Sequence, residues 1–130
     1  MTTISKTITI NAPMSKVWGK VSDTGRISDL IGFLATSVQD GDTRVCSLEG
    51  GGELTEKIVS VDPDLNRVVY AITSSPLNME FHVATMQLEE GDQGKTKLNW
   101  IVDLLPLEAR DQMEPMLEGA CADMVNTLAS

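Results

Sequence analysis

Hydrophobic and polar positions alternate along most of this chain, and the period changes once, near the end. Thr3 to Asn11 has Ile4, Ile8 and Ile10 on one side, the two-residue repeat of a strand. Ala12-Pro13 stops it, because proline cannot donate to a sheet ladder. Pro13 to Val21 reads as a short helix with Val17, Trp18 and Val21 on its apolar side, broken by Asp23-Thr24-Gly25. Ser28 to Phe33 reads as a second short helix. Strand patterns then follow at Ala35 to Gln39, Thr43 to Leu48, Glu53 to Val61, Arg67 to Thr73, Met79 to Glu89 and Thr96 to Leu104. Asp40-Gly41-Asp42, Gly50-Gly51-Gly52, Asp62-Pro63-Asp64 and Ser74-Ser75-Pro76 punctuate them.

From Leu107 to Leu128 the repeat becomes helical. Met113, Met116, Leu117, Ala120, Met124, Val125 and Leu128 share one face at this spacing. Pro115 lies inside that segment, so the helix is expected to start irregularly or to bend near Glu114. Strands in series closed by a terminal helix predict an α+β domain and not a parallel α/β sheet. One helix lying along a curved antiparallel sheet can enclose a cavity, and methionine makes an adaptable lining. The pattern therefore predicts a container for an apolar small molecule.

At 130 residues the chain suits one domain over 1–130. A domain of this size buries roughly two-thirds of its unfolded surface and needs no disulfide or metal to fold. The formal charge of -9 argues against nucleic acid and anionic membranes, which call for clustered Lys and Arg. Cys46 and Cys121 have no metal or redox spacing, and with His82 they do not make a zinc site. No apolar run approaches ~18 residues, and no leader pattern precedes the first strand. A cytoplasmic protein with reduced thiols is expected, with no membrane insertion and an oligomeric state left open.

The order of elements, with Ile10-Asn11-Ala12-Pro13, Val17-Trp18-Gly19-Lys20-Val21-Ser22-Asp23, Thr55-Glu56-Lys57-Ile58, Val69-Tyr70, Ser74-Ser75-Pro76-Leu77 and Leu98-Asn99-Trp100, resembles the START/Bet v 1-like superfamily. Within it the likeness is to the polyketide cyclase/dehydrase and lipid-transport branch. The resemblance implies a helix-grip fold: a curved antiparallel sheet of about six or seven strands around a long C-terminal helix, with two short helices after the first strand. It also sets which strand positions face inward. Those are Thr43, Val45, Ser47, Leu54, Glu56, Ile58, Tyr70, Ile72, Phe81, Val83, Thr85, Leu98, Trp100 and Val102. Met113, Met116, Leu117, Ala120 and Met124 would close the pocket from the helix. In that phase His82 and Cys46 point outward, and Arg44, Arg67 and Arg110 face solvent.

Glu56 is the candidate with the most chemistry. A carboxylate in an apolar pocket is costly unless paired or hydrogen-bonded, and desolvation is a route by which a general base is tuned. Tyr70 is its candidate partner or an acid. One reading is a binding module for a lipid- or polyketide-like molecule, with Glu56, Tyr70 and Ser47 orienting a polar end. The other is a cofactor-independent cyclase/dehydrase-type lyase or isomerase with Glu56 as base. A third is an interaction protein with a filled core. Trp100 and Phe81 suit a flat ligand or plain packing, and Trp18 suits packing. Cys121 reads as packing and Asp23 as a cap. Leu30, Ile31, Phe33 and Leu34 suit a rim or a self-association surface. Gly50-Gly51-Gly52 lacks the Gly-Lys-Ser/Thr ending of a phosphate loop and suits a gate opposite Ser74 to Asn78, or an ordinary turn.

Overall fold

The computed structural model describes residues 1–130. Strand β1 (Thr2–Ile10) leads into helix α1 (Met14–Val21) and a 3-10 helix at Thr24–Asp29. Six strands follow: β2 (Leu34–Asp40), β3 (Thr43–Leu48), β4 (Glu53–Asp62), β5 (Arg67–Ser74), β6 (Phe81–Glu90) and β7 (Thr96–Leu105). Helix α2 (Ala109–Thr127) completes the chain. The second short helix thus forms earlier than Ser28 to Phe33. Leu30, Ile31 and Leu34 instead turn inward and are buried.

All seven strands join one antiparallel sheet in the order β1-β7-β6-β5-β4-β3-β2. This is the α+β helix-grip arrangement expected from the element order. Each neighbouring pair from β2 to β7 is also consecutive in sequence. The first strand closes the set by pairing with the last, from Thr2↔Leu104 to Ile10↔Thr96. Thr96 Oγ1 donates to the Ala12 carbonyl at 2.8 Å, tying the sheet to the start of α1.

Alternation fills the interior. Ile4 and Ile10 on β1, Leu98, Trp100, Val102 and Leu104 on β7, and Met113, Leu117, Ala120, Met124 and Leu128 on or after α2 belong to one buried cluster. Fully burying a Leu or Met contributes about 1.5–3 kcal/mol, so this cluster dominates stability. Val125, placed on the helix's inner face by spacing, is exposed.

Helix α2 starts irregularly, and Pro115 lies further along, inside it. Ala109, Arg110 and Asp111 donate their backbone N–H groups three residues back, to Pro106, Leu107 and Glu108. This is the tighter 3-10 pattern common at helix ends.

The β5–β6 ladder runs only from Arg67↔Gln87 to Tyr70↔Ala84. Beyond Tyr70 the strands part. The Ile72 N–H, which a continued ladder would engage, donates instead to His82 Nδ1 at 3.0 Å. That separation lies beside the pocket described next.

Candidate functional site

Paired residues on adjacent strands share a face, so register decides what enters the interior. In β3–β4, Arg44 pairs with Glu56 and Cys46 with Leu54. In β6–β7, Ala84 pairs with Val102 and Met86 with Trp100. Glu56, Leu54, Trp100 and Val102 do face inward, and they bring Arg44, Cys46, Ala84 and Met86 with them. His82 shares their phase.

The expected phase of β3 and β6 is therefore corrected. Thr43 is exposed, and Val45 and Ser47 are half-buried away from the pocket. Phe81 is 44% exposed, while Val83 and Thr85 are half-buried and also off the pocket. Arg44, Cys46 and His82, expected at the surface, are 2%, 0% and 3% exposed. Two signals pointed the right way on β6: Met86 and Leu88 lie in phase with His82, whereas the Phe81 phase runs on to Gln87 and Glu89. On β3 an arginine in a strand reads as solvent-facing until an inward carboxylate opposite it is recognised.

The resulting pocket lies between the sheet, α2 and the segment after α1. Its sheet wall carries Arg44, Leu54, Glu56, Tyr70, Ile72, His82 and Trp100. Met113, Met116 and Leu117 form the α2 wall, and Ile27, Ile31, Phe33, Leu34 and Leu77 complete it. Of Leu30, Ile31, Phe33 and Leu34, expected as a rim or a self-association surface, Ile31, Phe33 and Leu34 line the pocket wall, with Ile31 and Leu34 buried, and Leu30 is buried outside it. Of the other predicted ligand contacts, Ile58, Leu98, Ala120 and Met124 are buried in the core without reaching the pocket. Leu77 was not singled out, because a loop leucine carries no periodic signal.

The segment over the pocket is pinned to α2. The Gly32 N–H donates to Asp123 Oδ2 at 2.8 Å, and Thr127 Oγ1 donates to the Leu30 carbonyl at 3.3 Å. Gly52 and Pro76 belong to the two loops expected to act as flaps. A Cβ at Gly52 would stand 3.1 Å from Pro76 Cγ, and its φ of +93° suits glycine. These loops therefore touch.

At the centre sits a buried ion pair. Arg44 Nε donates to Glu56 Oε1 at 2.8 Å, and Arg44 Nη1 donates to the Thr24 carbonyl at 2.8 Å. The Cys46 thiol also donates to Glu56 Oε1, at 3.4 Å. Arg44 Cζ lies 5.0 Å from the centre of the Tyr70 ring, and the His82 ring centre lies 5.8 Å from that same centre. Trp100 Nε1 donates to the Tyr70 hydroxyl at 3.1 Å.

Burial controls protonation here. It raises the Cys46 thiol to about 12, with the Glu56 charge adding to the effect, so Cys46 stays a neutral donor and not a nucleophile. Tyr70 is pushed well above its ordinary range by burial first and the Glu56 carboxylate second. Burial lowers His82 to about 4, so its ring is neutral at pH 7. Because Nδ1 accepts from Ile72, the neutral ring carries its proton on Nε2.

Several polar atoms remain without a protein partner. Arg44 Nη2, Glu56 Oε2 and His82 Nε2 make no hydrogen bond, and the Tyr70 proton has no acceptor. No fully shielded side-chain nitrogen or oxygen in the protein is unpartnered. The three unbonded atoms therefore reach open space, and the pocket is the space their residues line. Arg44, Glu56, Tyr70 and His82 thus line one pocket whose other residues are apolar.

The pocket is smaller than the guest-sized hollow expected from the sequence. The space open to the centre of a water molecule is about 30 Å³, room for a water or two. Met113, Met116 and Leu117 take up the rest of the gap.

The family of proteins described as polyketide cyclase / dehydrase and lipid transport matches residues 1–130. No curated protein matches the chain. Among solved structures, an uncharacterised protein from Bacillus thuringiensis superposes with a TM-score of 0.92 at 14% identity, over 99% of this chain and 100% of that one. A START superfamily protein from Mycobacterium smegmatis gives 0.72 at 14% identity, over 97% and 98%. Norcoclaurine synthase from Thalictrum flavum gives 0.76 at 16% identity, over 98% and 84%. At these identities the likeness is one of fold.

Proposed function

Because the chain belongs to the polyketide cyclase/dehydrase and lipid transport family, we propose that residues 1–130 act as one domain that binds a hydrophobic or amphipathic small molecule, lipid- or polyketide-like, between α2 and the sheet. One observation carries this reading: Arg44, Glu56, Tyr70 and His82 line one otherwise apolar pocket, and Arg44 Nη2, Glu56 Oε2 and His82 Nε2 make no hydrogen bond within the protein. A ligand's polar end would engage them while its apolar frame lies against Leu54, Ile72 and the α2 methionines.

An occupant larger than water has to displace side chains. Met113 and Met116 are suited to this, since methionine is unbranched and changes rotamer readily. Met116 is only half-buried and stands nearest to solvent among the α2 pocket residues.

Turnover with Glu56 as general base is the weaker reading. A proton on Glu56 would leave the buried Arg44 guanidinium without its counter-charge, and stranding one member of such a pair is costly. Cytoplasmic operation belongs to the proposal and is supported by two unpaired cysteines.

The test is binding of N-phenyl-1-naphthylamine, an uncharged apolar fluorophore. Saturable fluorescence enhancement is expected from the unmodified protein. Met116→Trp, which fills the pocket at its rim, should abolish it while leaving the circular dichroism spectrum intact. Absence of binding, or enhancement that persists in Met116→Trp, contradicts the proposal.

A further inference from the structure

The polar constellation restricts what the pocket accepts. The Arg44 and Glu56 charges cancel at 2.8 Å, so the site offers no net charge to an ion. His82 contributes none at pH 7, since burial holds its ring neutral, and Tyr70 keeps its proton. Moving an ion from water into such a surround is strongly unfavourable without a dedicated counter-ion. Hydrogen-bonding capacity is also unequal. Arg44 Nη2, the Tyr70 hydroxyl and His82 Nε2 are donors with nothing to donate to, and Glu56 Oε2 alone is a free acceptor.

Resting on the binding function proposed above, we infer that the group seated over Tyr70 and His82 is an uncharged hydrogen-bond acceptor, a carbonyl oxygen, carried on an apolar frame. A carbonyl has two lone pairs and no proton, which complements a pocket lined by the donors of Arg44, Tyr70 and His82. A carboxylate would face Glu56 Oε2, and an ammonium would face Arg44. A bare hydrocarbon would leave every donor unmet.

His82 allows a clean variant. Asparagine at this position keeps a side-chain oxygen near the place of Nδ1 to accept from Ile72, but supplies no donor where Nε2 stands. Tyr70→Phe is the second variant and removes the hydroxyl proton, along with the acceptor for Trp100.

Four probes of one shape test the inference by titration calorimetry at pH 7: 2-acetylnaphthalene, 2-ethylnaphthalene, 2-naphthoate and 2-naphthylmethylammonium. The acetyl compound should bind about tenfold or more tightly than the other three, the difference expected for one well-made hydrogen bond. His82→Asn and Tyr70→Phe should each weaken the acetyl compound several-fold and leave the ethyl compound unchanged. Equal affinity for the acetyl and ethyl compounds, or preference for either ion, overturns the carbonyl assignment while leaving the binding function standing. If none of the four binds, the binding function falls with it. Should either variant fail to fold, the four-probe comparison on the unmodified protein decides.

Discussion

His82 is the chain's single imidazole, and its placement has a measurable consequence. An unfolded histidine takes up its proton near 6.5, whereas burial delays this to about 4 in the folded protein. Below 6.5 the unfolded chain therefore binds the extra proton first, and stability falls as pH drops towards 4, with no further loss from this group beneath that. At ~1.4 kcal/mol per pH unit the loss is about 3 kcal/mol. Urea unfolding of the native protein and His82→Asn between pH 7 and 4 should show that component in the former only. Equal pH slopes would contradict it. The Arg44–Glu56 pair makes a second residue-scale prediction. Arg44→Met should cost about 3–5 kcal/mol by leaving a carboxylate buried alone, while Arg44→Met with Glu56→Leu should recover most of it. Urea midpoints check this, and a double variant no better than the single would refute it. Glu56 and Tyr70 were placed inward by the phase that the family resemblance implies, and both line the pocket. Arg44, Cys46 and His82 were not, because each reads as polar or ambiguous alone and turns inward only through its cross-strand partners.

At the scale of elements, the segment after α1 and the helix α2 form two walls of one pocket and are joined by few bonds. A Cβ on Gly32 would collide with the Asp123 carboxylate that accepts from the Gly32 N–H. Gly32→Ala and Asp123→Ala should therefore break the same contact, each costing about 1–2 kcal/mol. Their double variant should cost little more than either alone, because residues in direct contact are not additive. Full additivity in thermal unfolding would show that the contact does not hold the two walls together. The order of strands and the long helix were readable from the period change after Pro106. The 3-10 helix at Thr24–Asp29 was misplaced towards Ser28 to Phe33. That run is apolar because it covers the pocket, and an apolar lid and an amphipathic helix turn look alike over so few residues. The irregular start of α2 lies at Ala109 to Asp111, ahead of Pro115 inside the helix, so the proline does not account for it.

For the whole molecule, the question is how an interior of 29 buried apolar residues can admit a guest when its pocket measures about 30 Å³. Period and element order predict a helix set along a sheet, but not how far apart the two stand, because that distance is set by side-chain packing and not by pattern. Here Met113 and Met116 occupy the gap, so entry requires them to move while Arg44, Glu56, Tyr70 and His82 stay fixed in the sheet. The most direct measurement labels the methyl groups of the seven methionines with carbon-13 and follows them by NMR during titration with 2-acetylnaphthalene. The account predicts saturable shifts concentrated at Met113 and Met116, with Met1 and Met14, which do not line the pocket, unmoved. Shifts confined to Met1 or Met14, or none at the α2 methionines at saturation, would contradict it.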